Sequence, residues 1–156
     1  MFIKVKRKFF FNGKELVSPE VYKVYGEDAI KFLAKDIVIF LDLLREDLGV
    51  PILVNRPSVG MTQRGLRTTI DSIVKDKVKN NRLYLSAHVL GRGVDFEVPS
   101  MDMKKVYERI INNPRRYSMI TRIEDPNVTL PKGYMHVDNM ETGKNGIYIF
   151  YKKTVS

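Results

Sequence analysis

Ten residues at 86–95, Ser86-Ala87-His88-Val89-Leu90-Gly91-Arg92-Gly93-Val94-Asp95, constrain this chain more than any other stretch. Residues 83–87 read as one strand and residues 94–98 as another, with Gly91 and Gly93 between them. Glycine reaches backbone conformations that other residues avoid, so the pair predicts a tight reversal and a hairpin. Alternate residues of a strand share a face. Val94, Phe96 and Val98 would therefore face a core, with Asp95 and Glu97 on the other side. An imidazole and a carboxylate seven positions apart are candidate ligands of one zinc ion. The chain has one other histidine, His136, the candidate third ligand.

The remaining elements read as short and mixed. Residues 1–11 interleave apolar and basic side chains, as an edge strand or an N-terminal arm would, and Asn12-Gly13 is a turn signal. Ser18 caps a predicted helix that opens with Pro19 and ends near Gly26. The main core helix is predicted over 29–48, where Phe32, Leu33, Ile37, Phe40, Leu41, Leu44 and Leu48 recur at helical spacing and Gly49 stops the run. Residues 51–55 read as a short buried strand, 56–69 as a polar loop long enough to serve a site, and 69–81 as a basic helix or arm. A second amphipathic helix follows Ser100, its predicted cap, with Met103, Val106, Tyr107, Ile110 and Ile111 as its stripe and Asn112-Asn113-Pro114 as its stop. Strands are predicted at 119–124, 134–138 and 147–152, joined by turns at Asp125-Pro126-Asn127, Pro131-Lys132-Gly133 and 143–146. In the middle one Met135 and Val137 alternate with Tyr134, His136 and Asp138. This pattern predicts one α+β domain over 1–156, an antiparallel sheet with helices packed on it.

Composition narrows the chemistry. There is no cysteine, which excludes disulfides, thiolate metal sites and a cysteine nucleophile. The net charge of +9 favours polyanionic partners such as a cell wall or nucleic acid. No apolar run is long enough to cross a membrane as a helix. Only Phe9, Phe10 and Phe11 follow the basic residues of the N-terminus, too few for the apolar region of a signal peptide, so none is expected.

The ten-residue string matches the Ser-x-His-x-x-Gly-x-x-x-Asp signature of the zinc D-Ala-D-Ala metallopeptidases. That family shares its fold with the hedgehog signalling domain and includes phage cell-wall endopeptidases. Tyr134-Met135-His136-Val137-Asp138 resembles the strand that carries the family's last ligand, and Gly65-Leu66-Arg67-Thr68 resembles its Gly-Tyr-Arg-Ser element. Glu15-Leu16-Val17-Ser18-Pro19-Glu20, Thr62-Gln63-Arg64-Gly65-Leu66-Arg67 and Leu83-Tyr84-Leu85-Ser86-Ala87-His88 resemble a branch from phages of Bacteroides-type bacteria. The resemblance runs from about residue 16 to 138.

The resemblance implies a hedgehog-like fold, zinc at His88, Asp95 and His136, and substrate held by Arg67 and Ser86. Ser86 has a second reading, support of the turn. The implied activity is hydrolysis of an amide bond in peptidoglycan stem peptides by a phage-encoded enzyme. It would reside in the host cytoplasm or the virion and act on the wall. One departure matters. Many relatives carry a carboxylate base three residues before the last histidine, and here that residue is Gly133. Amide hydrolysis needs a group that accepts and returns protons. Asp138 is the first candidate, although it also suits an orienting role beside His136; Asp125, Glu124 and Glu97 are others. The gap leaves open a catalytically inactive virion or structural protein with the same fold, and the charge leaves open a basic nucleic-acid-binding domain.

Overall fold

The computed structural model describes residues 10–151. The expected arm at 1–11 falls outside this range up to residue 9.

Two short helices open the chain. Asn12 and Glu15 exchange hydrogen bonds across the first turn of α1 (Gly13–Leu16), a reciprocal cap rather than the expected turn. Ser18 caps α2 (Pro19–Tyr25), which opens on proline and stops at Gly26, as its sequence predicts. The main helix is shorter than its stripe. Residues Gly26–Phe32 form a 3-10 segment, and α3 (Lys35–Leu48) starts only after a break at Leu33 and Ala34. The break has a local cause: the Ala34 amide donates to the carbonyl of Gly91, 2.7 Å away, instead of into a helix. Gly49 ends α3 in the left-handed region. α4 (Ser72–Val78) is followed by β1 (Gly93–Phe96), and then by α5 (Met103–Ile111). Asp102, not Ser100, caps α5, accepting from the Lys104 amide. β2 (Arg122–Glu124), the one-turn α6 (Pro126–Thr129), β3 (Met135–Asp138) and β4 (Tyr148–Phe150) complete the chain.

The four strands form one sheet in the order β1-β3-β2-β4. β3 pairs antiparallel with β1 and with β2, but β2 and β4 are parallel, so the expected antiparallel sheet is mixed. The reason is topological. Both edges of β3 are occupied when the chain leaves it, so β4 joins not beside β3 but beyond β2. Having reversed relative to β3, β4 runs parallel to β2.

The predicted hairpin does not form. Residues 82–86 join no ladder, and the expected strand there leaves Leu83 and Leu85 in solvent. β1 pairs with β3 instead, burying Val94, Phe96, Met135 and Val137 against α3. Phe40 of α3 meets Phe96 and Tyr117 edge to face, each at 5.9 Å between ring centres. The predicted strand at 51–55 contributes one bridge, between Leu53 and Glu97. Sheet and helices thus agree with a mixed α and β architecture. Among the described residues, no helix is long and apolar enough to cross a membrane.

Candidate metal centre

The sheet's second face holds the site. Period-two alternation puts Gly93 and Asp95 of β1 on the face opposite Val94 and Phe96, and His136 and Asp138 of β3 opposite Met135 and Val137. Register then aligns them, with Asp95 directly across from His136 and Gly93 across from Asp138. Gly93 is there for room: a Cβ would lie 2.7 Å from that of Ala87 and 3.2 Å from Cε1 of His136. His88 comes from the turn above. Ser86 caps this turn, its hydroxyl accepting from the Val89 amide at 3.3 Å, and Gly91 closes it with a φ of +67°.

Three atoms converge. Nε2 of His88 lies 3.3 Å from Oδ1 of Asp95, and Nδ1 of His136 lies 2.7 Å from the same oxygen. One ligating atom from each residue falls within 4.8 Å of the others. Both histidines are buried.

Each ring is oriented from behind. Nδ1 of His88 faces the Gly65 carbonyl at 2.9 Å. A carbonyl only accepts, so Nδ1 carries the proton and Nε2 of the neutral ring is bare. That Nε2 is buried without a hydrogen-bond partner and faces a carboxylate oxygen. Two electron-rich atoms in this arrangement fit a cation between them, which makes the donor set suitable for zinc. Nε2 of His136 donates to Oδ2 of Asp138 at 3.1 Å. Asp138 is wholly buried and also accepts from Nε and Nη2 of Arg122, both at 2.7 Å, and from the Met140 amide at 3.1 Å. Asp138 thus stands behind the ring, at the nitrogen away from the cluster. Arg67 donates from Nη2 to Oδ2 of Asp95 at 3.0 Å, leaving Oδ1 to the histidines.

The electrostatics follow from these contacts. Burial pushes the His88 imidazole down, which keeps it neutral and able to ligate. Burial also opposes charge on His136, but hydrogen bonds to Asp138 and Asp95 outweigh it and raise the ring to about 8. Asp138 is likewise opposed by burial, yet its bonds from His136 and Arg122 bring it down to about 2. Against the same burial, the hydrogen bond from His136 and the positive charge on that ring hold Asp95 well below the usual carboxylate range.

The metal-free protein therefore carries a His136 imidazolium bridging two carboxylates. Its pKa is higher folded than unfolded, so its stabilisation is complete below about pH 6.5 and is lost as pH rises through about 8. Chelator-treated protein should lose on the order of 1–2 kcal/mol of unfolding free energy between those limits. Urea titrations at both ends check this; a rise in stability over that interval would contradict it.

A cleft of about 390 Å³ opens at Asp95, lined also by Met61, Gln63, Arg64, Arg67, Lys132 and Tyr134. Asp95 is its only carboxylate among the described residues. Glu97, the residue after β1, is held by Arg56 at 2.6 Å and Arg64 at 2.9 Å, and Asp125 caps α6. Glu124 is buried on β2. Gly133 ends a turn with φ of +75° and has open space where a side chain would stand.

Sequence reasoning missed the Gly65 carbonyl and Arg122, and it read Gly93 as a turn residue rather than as the residue that leaves room for His136. Arg122 belongs to the site only through its register with Asp138, which has no local sequence signal. Gly65 lay inside a recognised motif, but its use as an acceptor for His88 depends on how two distant segments pack. Comparison with family models, curated proteins and solved structures found no match.

Proposed function

We propose that this chain is a zinc-dependent peptidase, phage-encoded, that hydrolyses an amide bond in the stem peptides of bacterial peptidoglycan. The observation that carries the reading is the buried, unpartnered Nε2 of His88 aimed at Asp95 beside His136. Its support from sequence is the resemblance of 86–95 and 134–138 to the D,D-peptidase signatures, which carries with it the hedgehog-like variant of the fold. His88, Asp95 and His136 would hold the ion. When bound, zinc supplies a Lewis acid that polarises a carbonyl and makes water a stronger acid.

The chain's own groups divide the remaining work. The Gly65 carbonyl and Asp138 fix the two tautomers, so that the ligating nitrogens present lone pairs. Arg67 fixes the rotation of Asp95 and also lines the cleft, where its guanidinium can grip a carbonyl or carboxylate of the peptide. Ser86 supports the turn that carries His88. The surplus of positive charge favours an anionic wall.

A second reading is favoured by one feature: among the described residues the cleft offers no carboxylate base beyond Asp95, and Gly133 stands where many members of the resembled family carry one. This reading is a virion or structural protein that keeps the metal site without turnover. Zinc-loaded protein incubated with purified muropeptides separates the two. Release of a new amine that stops when zinc is chelated supports the peptidase. Stoichiometric zinc with every muropeptide intact supports the structural protein.

A further inference from the structure

Residues 70–85 are anchored at both ends. At one end Val74 of α4 is wholly buried, and Asp71 accepts from the Ser18 hydroxyl at 3.0 Å. At the other the chain enters the turn that carries His88. Between them Asn80 and Asn81 stand at φ of +64° and +57°, a left-handed pair that breaks the helical run.

What this stretch shows to solvent is mixed in character. Ile70 and Ile73 are 52% and 40% exposed, and Leu83 and Leu85 are 88% and 63% exposed. Lys75, Lys77, Lys79 and Arg82 are exposed as well. Asp76, paired with Lys79 at 2.8 Å, is the only exposed carboxylate of the stretch. Ile73 and Lys77 lie four residues apart on α4 and so share a face. Leu83 and Leu85 flank the half-buried Tyr84, and no ladder covers them. Exposed apolar residues scattered singly are ordinary. Four of them within 16 residues, interleaved with four cations, are not scattered.

The combination narrows the occupant. A nucleic acid or an anionic glycan would satisfy the cations but leave the leucines in water. An apolar protein face would cover the leucines but desolvate the lysines without acidic partners, which is unfavourable. A lipid surface with anionic headgroups satisfies both. Leucine side chains enter the acyl boundary while lysine and arginine stems reach back to the headgroups.

We propose that residues 70–85 form a docking surface for an anionic lipid bilayer, on which the protein lies without crossing it. This surface depends neither on the metal nor on hydrolysis.

The test is sedimentation of the full-length protein with two kinds of vesicle. One holds equal parts of phosphatidylglycerol and phosphatidylcholine, the other phosphatidylcholine alone. The mixed vesicles should bind at least about tenfold more tightly, and less so as salt rises. The pair Leu83→Ser and Leu85→Ser, and separately the pair Lys75→Gln and Lys77→Gln, should each weaken that binding at least about tenfold. All four side chains are exposed, so circular dichroism should be unchanged. The chain has no tryptophan, so Leu83→Trp supplies a single reporter. Its emission should shift to the blue on the mixed vesicles and not on phosphatidylcholine. Equal or absent binding to the two vesicles overturns the proposal, as does binding that survives both double substitutions. Binding that follows the lysines alone, with no shift in the tryptophan emission, overturns it in favour of a polyanion such as a wall glycan or nucleic acid. Self-association that the leucine pair abolishes, without vesicle binding, assigns the face to a second copy and overturns it too.

Discussion

Replacing His88 with alanine is expected to strip zinc from the protein and to abolish any wall-lytic activity. Nε2 of His88 is one of three converging ligand atoms, and nothing else among the described residues can replace it there. Loss of an outer partner of a metal site alone costs ~10–100-fold in affinity. Loss of a ligand should therefore exceed about a hundredfold. Competition against a chromophoric chelator measures it directly, and circular dichroism confirms that the fold survives. Asp138→Asn is the informative companion. It keeps the shape behind His136 but removes the charge that fixes the ring, and should fall within the ~10–100-fold range. Wild-type protein that holds no stoichiometric zinc, with metal content and lysis unchanged in His88→Ala, would eliminate the proposed function.

The second large effect is expected at Gly65→Ala, and it is a matter of space. A Cβ at residue 65 would fall 1.7 Å from the carbonyl oxygen of Leu16 and 2.6 Å from its carbon. No rotamer relieves this, because the obstacle is backbone. Neither can the two segments simply part. The Leu66 amide donates to that same carbonyl at 2.9 Å, and the Ser18 amide donates to the Leu66 carbonyl at 3.1 Å. Overpacking a core commonly costs ~1–3 kcal/mol, and an overlap against fixed backbone should reach at least about 3 kcal/mol. Urea unfolding measures it. The substitution also displaces the acceptor for Nδ1 of His88, so zinc affinity should fall in parallel. A variant of unchanged midpoint and unchanged zinc affinity would mean that this segment does not hold the site.

These two residues lie in different relations to the sequence. His88 is legible because the chain has two histidines and no cysteine, so few ligand sets exist. The alternation at 135–138 and the apolar run into Gly49 are equally legible, since burial of one face imposes its period on neighbouring residues. The stretch at 83–87 misleads for the same reason. Its leucines and tyrosine have strand character, but the stretch pairs with no strand among the described residues, and Leu83 remains 88% exposed.

The sequence by itself determined which atoms could ligate, that α2, α3 and α5 form, and which faces of β1 and β3 turn inward. Those properties arise between residues a few positions apart. Tertiary structure decided that Asp95 lies opposite His136, that Arg122 clamps Asp138, that the Gly65 carbonyl sets the tautomer of His88, and that β4 runs parallel to β2. Each of those is a choice of register or partner between segments far apart along the chain. Such choices depend on which edges and faces remain uncovered once the other elements have packed, and a local pattern holds no record of that.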